Sequence, residues 1–157
     1  MSTVLVVATG TGNSLFAADR IGHDHLFFAE DLISGKATFP DDMDRLGIIF
    51  PVYCGGIPSA IQHLVSDVLS SRDNSGLGYI FAIATNGGLP LNALSDLDRE
   101  LQDHGLAMSY GAEVRMPDAY LPLQKKAVSN DKAREIAAKA EEKLRIIASE
   151  IESEKIE

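Results

Sequence analysis

A chain of 157 residues, 45% hydrophobic and 24% charged, has the make-up of one ordinary domain that buries roughly two thirds of its unfolded surface. With 23 acidic against 14 basic residues, its formal charge of -9 argues against nucleic acid and membrane as partners. A protein partner with a basic docking face suits it better. The single cysteine, Cys54, leaves no intrachain disulfide and no thiolate-ligated cluster in this chain, usage that fits a reducing, cytoplasmic compartment. No basic leader precedes Val4 and no apolar run approaches membrane-spanning length, so neither export nor a span is expected.

In chain order, residues 4–8 form a continuous apolar, β-branched run, the pattern of a central parallel strand covered on both faces. The loop Thr9-Gly10-Thr11-Gly12-Asn13-Ser14 follows and leads into a helix from Leu15 that ends near Gly22. Residues 25–28 read as a short second strand, and 34–45 as irregular chain with Gly35, Pro40 and the acidic Asp41, Asp42 and Asp44. The third strand spans 46–53; Pro51 cannot donate to a ladder, so the strand bends or ends there. Ser59 is placed to cap the next helix, where Ile61, Val65, Val68 and Leu69 share a face.

The fourth strand is expected at 78–84, then the loop 85–90 and a helix over 92–104 carrying Leu94, Leu97 and Leu101. Residues 112–116 form a fifth strand nearer an edge, and 117–122 a loop. From 130 to 151, an alanine- and isoleucine-rich stripe with i,i+4 pairs Glu135–Lys139 and Glu141–Arg145 predicts a packed terminal helix. This β-α-β-loop-β-α-β-α-β-α order, with right-handed crossovers, gives a doubly wound α/β domain over 1–157. Ligands bind such folds beyond the carboxyl ends of the strands. The loops 9–14, 53–58 and 85–90 would converge there.

Two glycines, three hydroxyls and an amide, with no lysine or arginine, make the first loop a cradle for a phosphate held without cationic help. A simple helix cap would also use such residues. A Walker loop needs Lys where Asn13 stands, and a dinucleotide fingerprint needs a third glycine where Leu15 stands, although Glu30 could serve as its acidic residue.

Thr9-Gly10-Thr11-Gly12-Asn13-Ser14 resembles the phosphate loop of the flavodoxin family. The stretches Phe50-Pro51-Val52-Tyr53-Cys54-Gly55-Gly56-Ile57-Pro58, Ala84-Thr85-Asn86-Gly87-Gly88 and Met116-Pro117-Asp118-Ala119-Tyr120 are similar to flavodoxin-like domains sometimes fused to ferredoxin modules. The resemblance implies a three-layer α/β/α sandwich, short-chain type, with a five-stranded parallel sheet in the order 2-1-3-4-5 and non-covalent FMN. The FMN phosphate would meet Thr9, Gly10, Thr11, Gly12, Asn13 and Ser14. The ring would lie between residues 53–58 and 85–90, with Pro51, Val52, Tyr53, Cys54, Gly55, Gly56, Thr85, Asn86, Gly87, Gly88 and Tyr120 as the further cofactor-binding residues. The third loop lacks the tyrosine usual in the family, which leaves Tyr53 and Tyr120 as the available aromatics.

The function so implied is electron transfer between redox partner proteins, such as a reductase or a ferredoxin-type protein. The alternatives are an FMN-dependent reductase of quinones or other small acceptors, and an interaction module without flavin. Against the reductase, no basic patch follows the loops to receive a nicotinamide cofactor's phosphates. No catalytic residue and no metal site are expected. Cys54 lacks a resolving thiol and reads as a small buried hydrophobe, His23-Asp24-His25 lacks a third ligand set, Asp41, Asp42 and Asp44 read as a solvated face, and His63 and His104 lie on or beside helices.

Overall fold

The computed structural model describes residues 1–52, 54–117 and 130–157. Five strands alternate with helices: β1 (Thr3–Val7), α1 (Asn13–Ala18), β2 (His25–Phe28), α2 (Ala29–Ile33), β3 (Arg45–Pro51), α3 (Ser59–His63), β4 (Tyr79–Asn86), α4 (Ala93–Asp103), β5 (Tyr110–Arg115) and α5 (Asn130–Glu152). Each pair of neighbouring strands is parallel, and the sheet order is β2-β1-β3-β4-β5. That order is the one expected, and it is not the 3-2-1-4-5-6 order of the dinucleotide fold.

The continuous apolar runs are explained by burial on both faces. Along β1, β3 and β4, successive side chains alternate between two cores. Val4, Val6, Leu46, Ile48, Phe50, Ile80 and Ala82 face α2, α3 and α4, together with Ile61, Leu64, Leu97 and Leu101. Leu5, Val7, Ile49, Phe81 and Ile83 face α1 and α5, together with Ala17, Ala18, Leu144, Ile147 and Ile151. The result is a three-layer α/β/α sandwich. The edge strand β2 is only half-buried and leaves Phe28 partly exposed.

Several local expectations are corrected. Residues 29–33, unassigned in the sequence reading, form α2, and the irregular stretch stops before Arg45, which opens β3. Pro58 rather than Ser59 holds the N-cap position of α3, with no side-chain cap bond. That helix continues as a π-helical segment over Leu64–Leu69, which turns Leu64 inward with Ile61, Val65 and Leu69 and leaves Val68 half-buried. β4 runs on to Asn86 because its polar end still pairs: Val52 N–H donates to the Thr85 carbonyl (2.8 Å) and Met116 N–H to that of Asn86 (2.8 Å). On α5, Glu135–Lys139 forms as expected, but Glu141 takes Arg20 (2.8 Å) and Arg145 takes Glu142.

The amino ends of the strands are locked by the last turn of α5 and the segment that follows it. Arg45, almost wholly buried, donates to the Ile151 carbonyl and lies over the Tyr79 ring, 5.3 Å from its centre. Tyr79 Oη donates to the Lys155 carbonyl (2.6 Å), and Tyr110 Oη to Glu150 (2.6 Å). Burial, reinforced by the Glu150 carboxylate, pushes the Tyr110 phenol well above the ordinary tyrosine range.

Two predictions follow from this packing. Gly47 sits mid-strand where an added methyl group would overlap the Phe81 ring and Leu5, so Gly47→Ala should lower unfolding stability in urea by about 1–3 kcal/mol. Phe81→Leu in the same chain should recover part of that loss. Because the Tyr110 pKa is raised on folding, its contribution is complete below about pH 10, the ordinary tyrosine value, and is lost as pH rises above it. Tyr110→Phe should therefore flatten the alkaline limb of the stability profile, followed by urea midpoints from pH 8 to 12.

Candidate functional site

With all strands parallel, the segments after β1, β3 and β4 leave from one edge of the sheet. The first ladder extends past Val7, since Ala8 N–H donates to the Ile49 carbonyl (3.0 Å). Thr9 Oγ1 then accepts the Gly12 N–H (3.0 Å) and closes the loop on itself. Gly12 is left-handed at φ 90°, a conformation cheap only for glycine, and its carbonyl accepts the Phe16 N–H (2.9 Å) to start α1. Gly10, Thr11 and Gly12 are exposed.

Two side chains of this loop are turned into the protein. Asn13 Nδ2 donates to the Pro117 carbonyl (3.2 Å) at the end of β5. Ser14, 1% exposed, shares a hydrogen bond with Thr85 Oγ1 (3.0 Å), itself 2% exposed. Thr85 Oγ1 also lies 3.4 Å from the Phe50 carbonyl, a long contact that leaves the Ser14 bond as the stronger of the two. One hydroxyl pair thus ties the first loop to the ends of β3 and β4.

The second and third loops touch each other. Pro51 closes β3 opposite Thr85. Cys54 and Gly55 are both left-handed, at φ 49° and 79°. A side chain on Gly55 would come within 2.5 Å of Leu91 Cδ1, so its absence lets the third loop approach. Leu91 is itself left-handed at φ 48° and largely exposed, as is Leu89. Asn86, nearly buried, accepts the Gly88 N–H on Oδ1 (2.9 Å) and bends the chain so that Gly87 and Gly88 are presented to solvent. Tyr53 and Tyr120, the expected aromatics, lie outside the described residues.

Solved structures share this architecture. A flavodoxin from the domain Archaea matches with a TM-score of 0.60 at 11% identity, over 97% of this chain and 99% of that one. Flavodoxin 2 from Bacillus cereus, oxidised, matches with a TM-score of 0.60 at 16% identity, over 94% and 95%. An FMN-dependent NADH-azoreductase from Bacillus anthracis, solved in complex with FMN, matches with a TM-score of 0.55 at 10% identity, over 96% and 99%. The fold is that of the flavodoxins. No protein-family model matches the chain, and no curated protein does.

On this flavodoxin fold, three expected loops meet at the carboxyl edge of the sheet, and their side chains divide into two groups. Thr9, Asn13, Ser14, Thr85 and Asn86 hold the loops in shape; Gly10, Thr11, Gly12, Cys54, Gly87 and Gly88 are exposed. Cys54 is exposed rather than a buried hydrophobe. Asp44 is half-buried and accepts the Ser2 N–H (2.7 Å), so only Asp41 and Asp42 remain a solvated pair. Asp24 accepts the Thr3 N–H (2.8 Å) and His23 Nδ1 meets the Ile21 carbonyl (2.7 Å), structural roles for both. No helix among the described residues is long and apolar enough to cross a membrane.

The expected lack of a basic patch after the loops is overturned. Arg115, at the end of β5, has its guanidinium beside Gly88, within 3.6–3.8 Å of where a side chain there would begin. With Lys132, Lys139 and Lys143 it lines a cleft between β5 and α5. Sequence reading missed Arg115, Leu91 and the Pro117 carbonyl. Only the left-handed demand on Leu91 lacks any signal; the others are long-range pairings.

The buried hydroxyl pair yields a test. Thr85→Val keeps the shape but strands the Ser14 hydroxyl, and should cost about 1–3 kcal/mol of unfolding stability. The double substitution with Ser14→Ala should cost less than the sum of the two singles, by about 1 kcal/mol, in a urea double-mutant cycle.

Proposed function

We propose that this chain binds FMN without a covalent link and carries electrons between separate redox proteins, a reductase or a ferredoxin-type protein among them. The observation that carries the reading is the convergence of three loops at the carboxyl edge of a flavodoxin-type sheet, one of them a glycine loop with no cation. That the azoreductase of the same fold was solved with FMN supports it. The donor set fits a phosphomonoester: Thr9 accepts from Gly12, so its own proton stays available, and Thr11 and the exposed loop backbone add donors. Ser14 and Asn13 act by holding that loop rigid against β4 and Pro117.

The remaining residues of the proposed site are Pro51, Val52, Tyr53, Cys54, Gly55 and Gly56 in the second loop, Thr85, Asn86, Gly87 and Gly88 in the third, and Tyr120. The bound flavin would supply the one- and two-electron chemistry. The protein's part is to orient the ring through backbone groups, which exposed glycines leave uncovered, and to set the field around it. A formal charge of -9 disfavours added negative charge and lowers the reduction potential.

A second reading, direct reduction of a quinone or other small acceptor, is favoured by one observation. Gly87 and Gly88 are exposed beside a cation, Arg115, where an anionic substrate group could settle.

Purified protein should be yellow or take up added FMN. Colourless protein that does not would favour an interaction module. Asn13→Asp removes the donor to Pro117 and adds a like charge near the phosphate, so FMN affinity should fall by about 1–3 kcal/mol, read by fluorescence quenching. Unchanged affinity would mean that the phosphate sits elsewhere. Rapid mixing with NAD(P)H should reduce the flavin slowly unless a reductase protein is added; fast direct reduction would replace the carrier reading with the reductase.

A further inference from the structure

We infer that the cleft between β5 and α5 is an anion-binding site for the pyrophosphate group of a nucleoside diphosphate, a site separate from the glycine loop at 9–14. It does not depend on FMN occupying that loop. Lys132, Ile136, Lys139 and Lys143 recur at helical spacing along one face of α5. That face flanks the buried one, Ala140, Leu144, Ile147 and Ile151, by which α5 packs on the sheet beside the edge strand β5. The floor of the cleft is half-buried Ile136, the apolar side chain that it exposes, above the buried Val114 and Ala140, with the lysines and Arg115 around it.

The charge is concentrated against the trend of the molecule. Among the described residues, four cations and a single carboxylate, Glu135, line the cleft in a chain whose formal charge is -9. Glu135 is engaged by Lys139 at 2.9 Å. The side chains of Arg115 and Lys143 form no hydrogen bond or ion pair among the described residues. Like charges gathered on one cleft repel, and a bound polyanion relieves that repulsion while gaining charge-assisted hydrogen bonds. An arginine offers a planar fork of donors suited to phosphate oxygens, which the lysines supplement as point charges.

The size narrows the ligand. The cleft volume is about 200 Å³, below the roughly 300–1,000 Å³ of sites that enclose a whole drug-sized ligand. It therefore takes a charged group with part of an apolar or sugar body on the floor, and leaves the rest of the molecule outside. Arg115 also stands beside Gly88, so a nucleotide anchored here lies next to the third loop. Lysines along a strand edge can serve only to deter pairing with other strands, and the experiment separates that case.

The test is amide-resolved NMR titration of the whole chain with sodium pyrophosphate and, separately, with ADP. Both should shift the amides of Val114, Arg115, Ile136 and Ala140, and ADP should bind more tightly because its sugar uses the floor. Arg115→Gln combined with Lys143→Gln, both at surface positions, should weaken either ligand at least tenfold. Lys36→Gln, on an exposed loop, should leave affinity unchanged. Binding should weaken with added salt. Shifts confined to residues 9–14 would overturn the proposal while supporting a phosphate-binding glycine loop. An absence of shifts at both places would overturn it and count against that loop as well. Equal affinity for pyrophosphate and ADP would overturn the nucleoside part, and full affinity in the double variant would overturn the assignment to these cations.

Discussion

A single reversal of direction in the sheet decides where everything else goes. The chain leaves β1 for β2 on one side, then crosses back to β3 on the other side and proceeds through β4 to β5. Right-handed crossovers place the connecting helices according to the direction of travel. The leftward step puts α1 on one face; the rightward steps put α2, α3 and α4 on the other. α5 then returns over the face that α1 covers only partly, and the division of the two cores follows this rule residue by residue. At the reversal, between β1 and β3, no helix among the described residues crosses the carboxyl edge. The crevice there is a consequence of topology before any side chain is considered.

What makes the crevice a defined site is a small set of internal hydrogen bonds. Ser14 and Thr85 are 71 residues apart in sequence and both are buried. Two hydroxyls removed from water are costly if unpaired and inexpensive if paired. Their bond therefore fixes the spacing of the first loop from the third. Asn13 does the same toward Pro117, and Asn86 toward Gly88. The contact between Leu91 and Gly55 joins the second loop to the third at positions where both residues are left-handed. Strain of this kind, about 1–3 kcal/mol for a non-glycine residue, persists only where the surroundings hold it. Here it lies at the mouth of the crevice.

The fold was legible because doubly covered strands cannot hide their pattern. Residues 4–8 and 46–50 are apolar without alternation, since each side chain meets one helical layer or the other. Element ends were less legible. β4 extends through Thr85 and Asn86, polar residues whose backbone pairs with β3 and β5, and no local signal distinguishes that from a loop. The short α2 is only five residues long and packs Ala29 and Leu32 inward, too brief to show a period. In the site, the glycine loop announced its backbone chemistry, but the loop's polar side chains carried two meanings. Asn13 and Ser14 could donate to a ligand or hold the loop, and the second role became visible only with the positions of Pro117 and Thr85.

The electrostatics of the molecule follow from the same separation in sequence. Composition reports the sum of charges, whereas a ligand meets their arrangement. Asp96, Glu100 and Asp103, against the one cation Arg99, which pairs with Asp96, line a cleft of about 250 Å³ beside the second loop, while Arg115 and the α5 lysines line the one beyond the third among the described residues. The carboxyl edge of the sheet thus lies between an acidic side and a basic one. In water at physiological salt, the field of each cluster fades over about 8 Å. A group held near Gly88 responds to Arg115 more than to the net charge of the chain, and one held near Gly56 responds to the acids of α4. The potential that a ligand meets in such a crevice depends on which side its charged end faces, so the distant excess of carboxylates sets only the background.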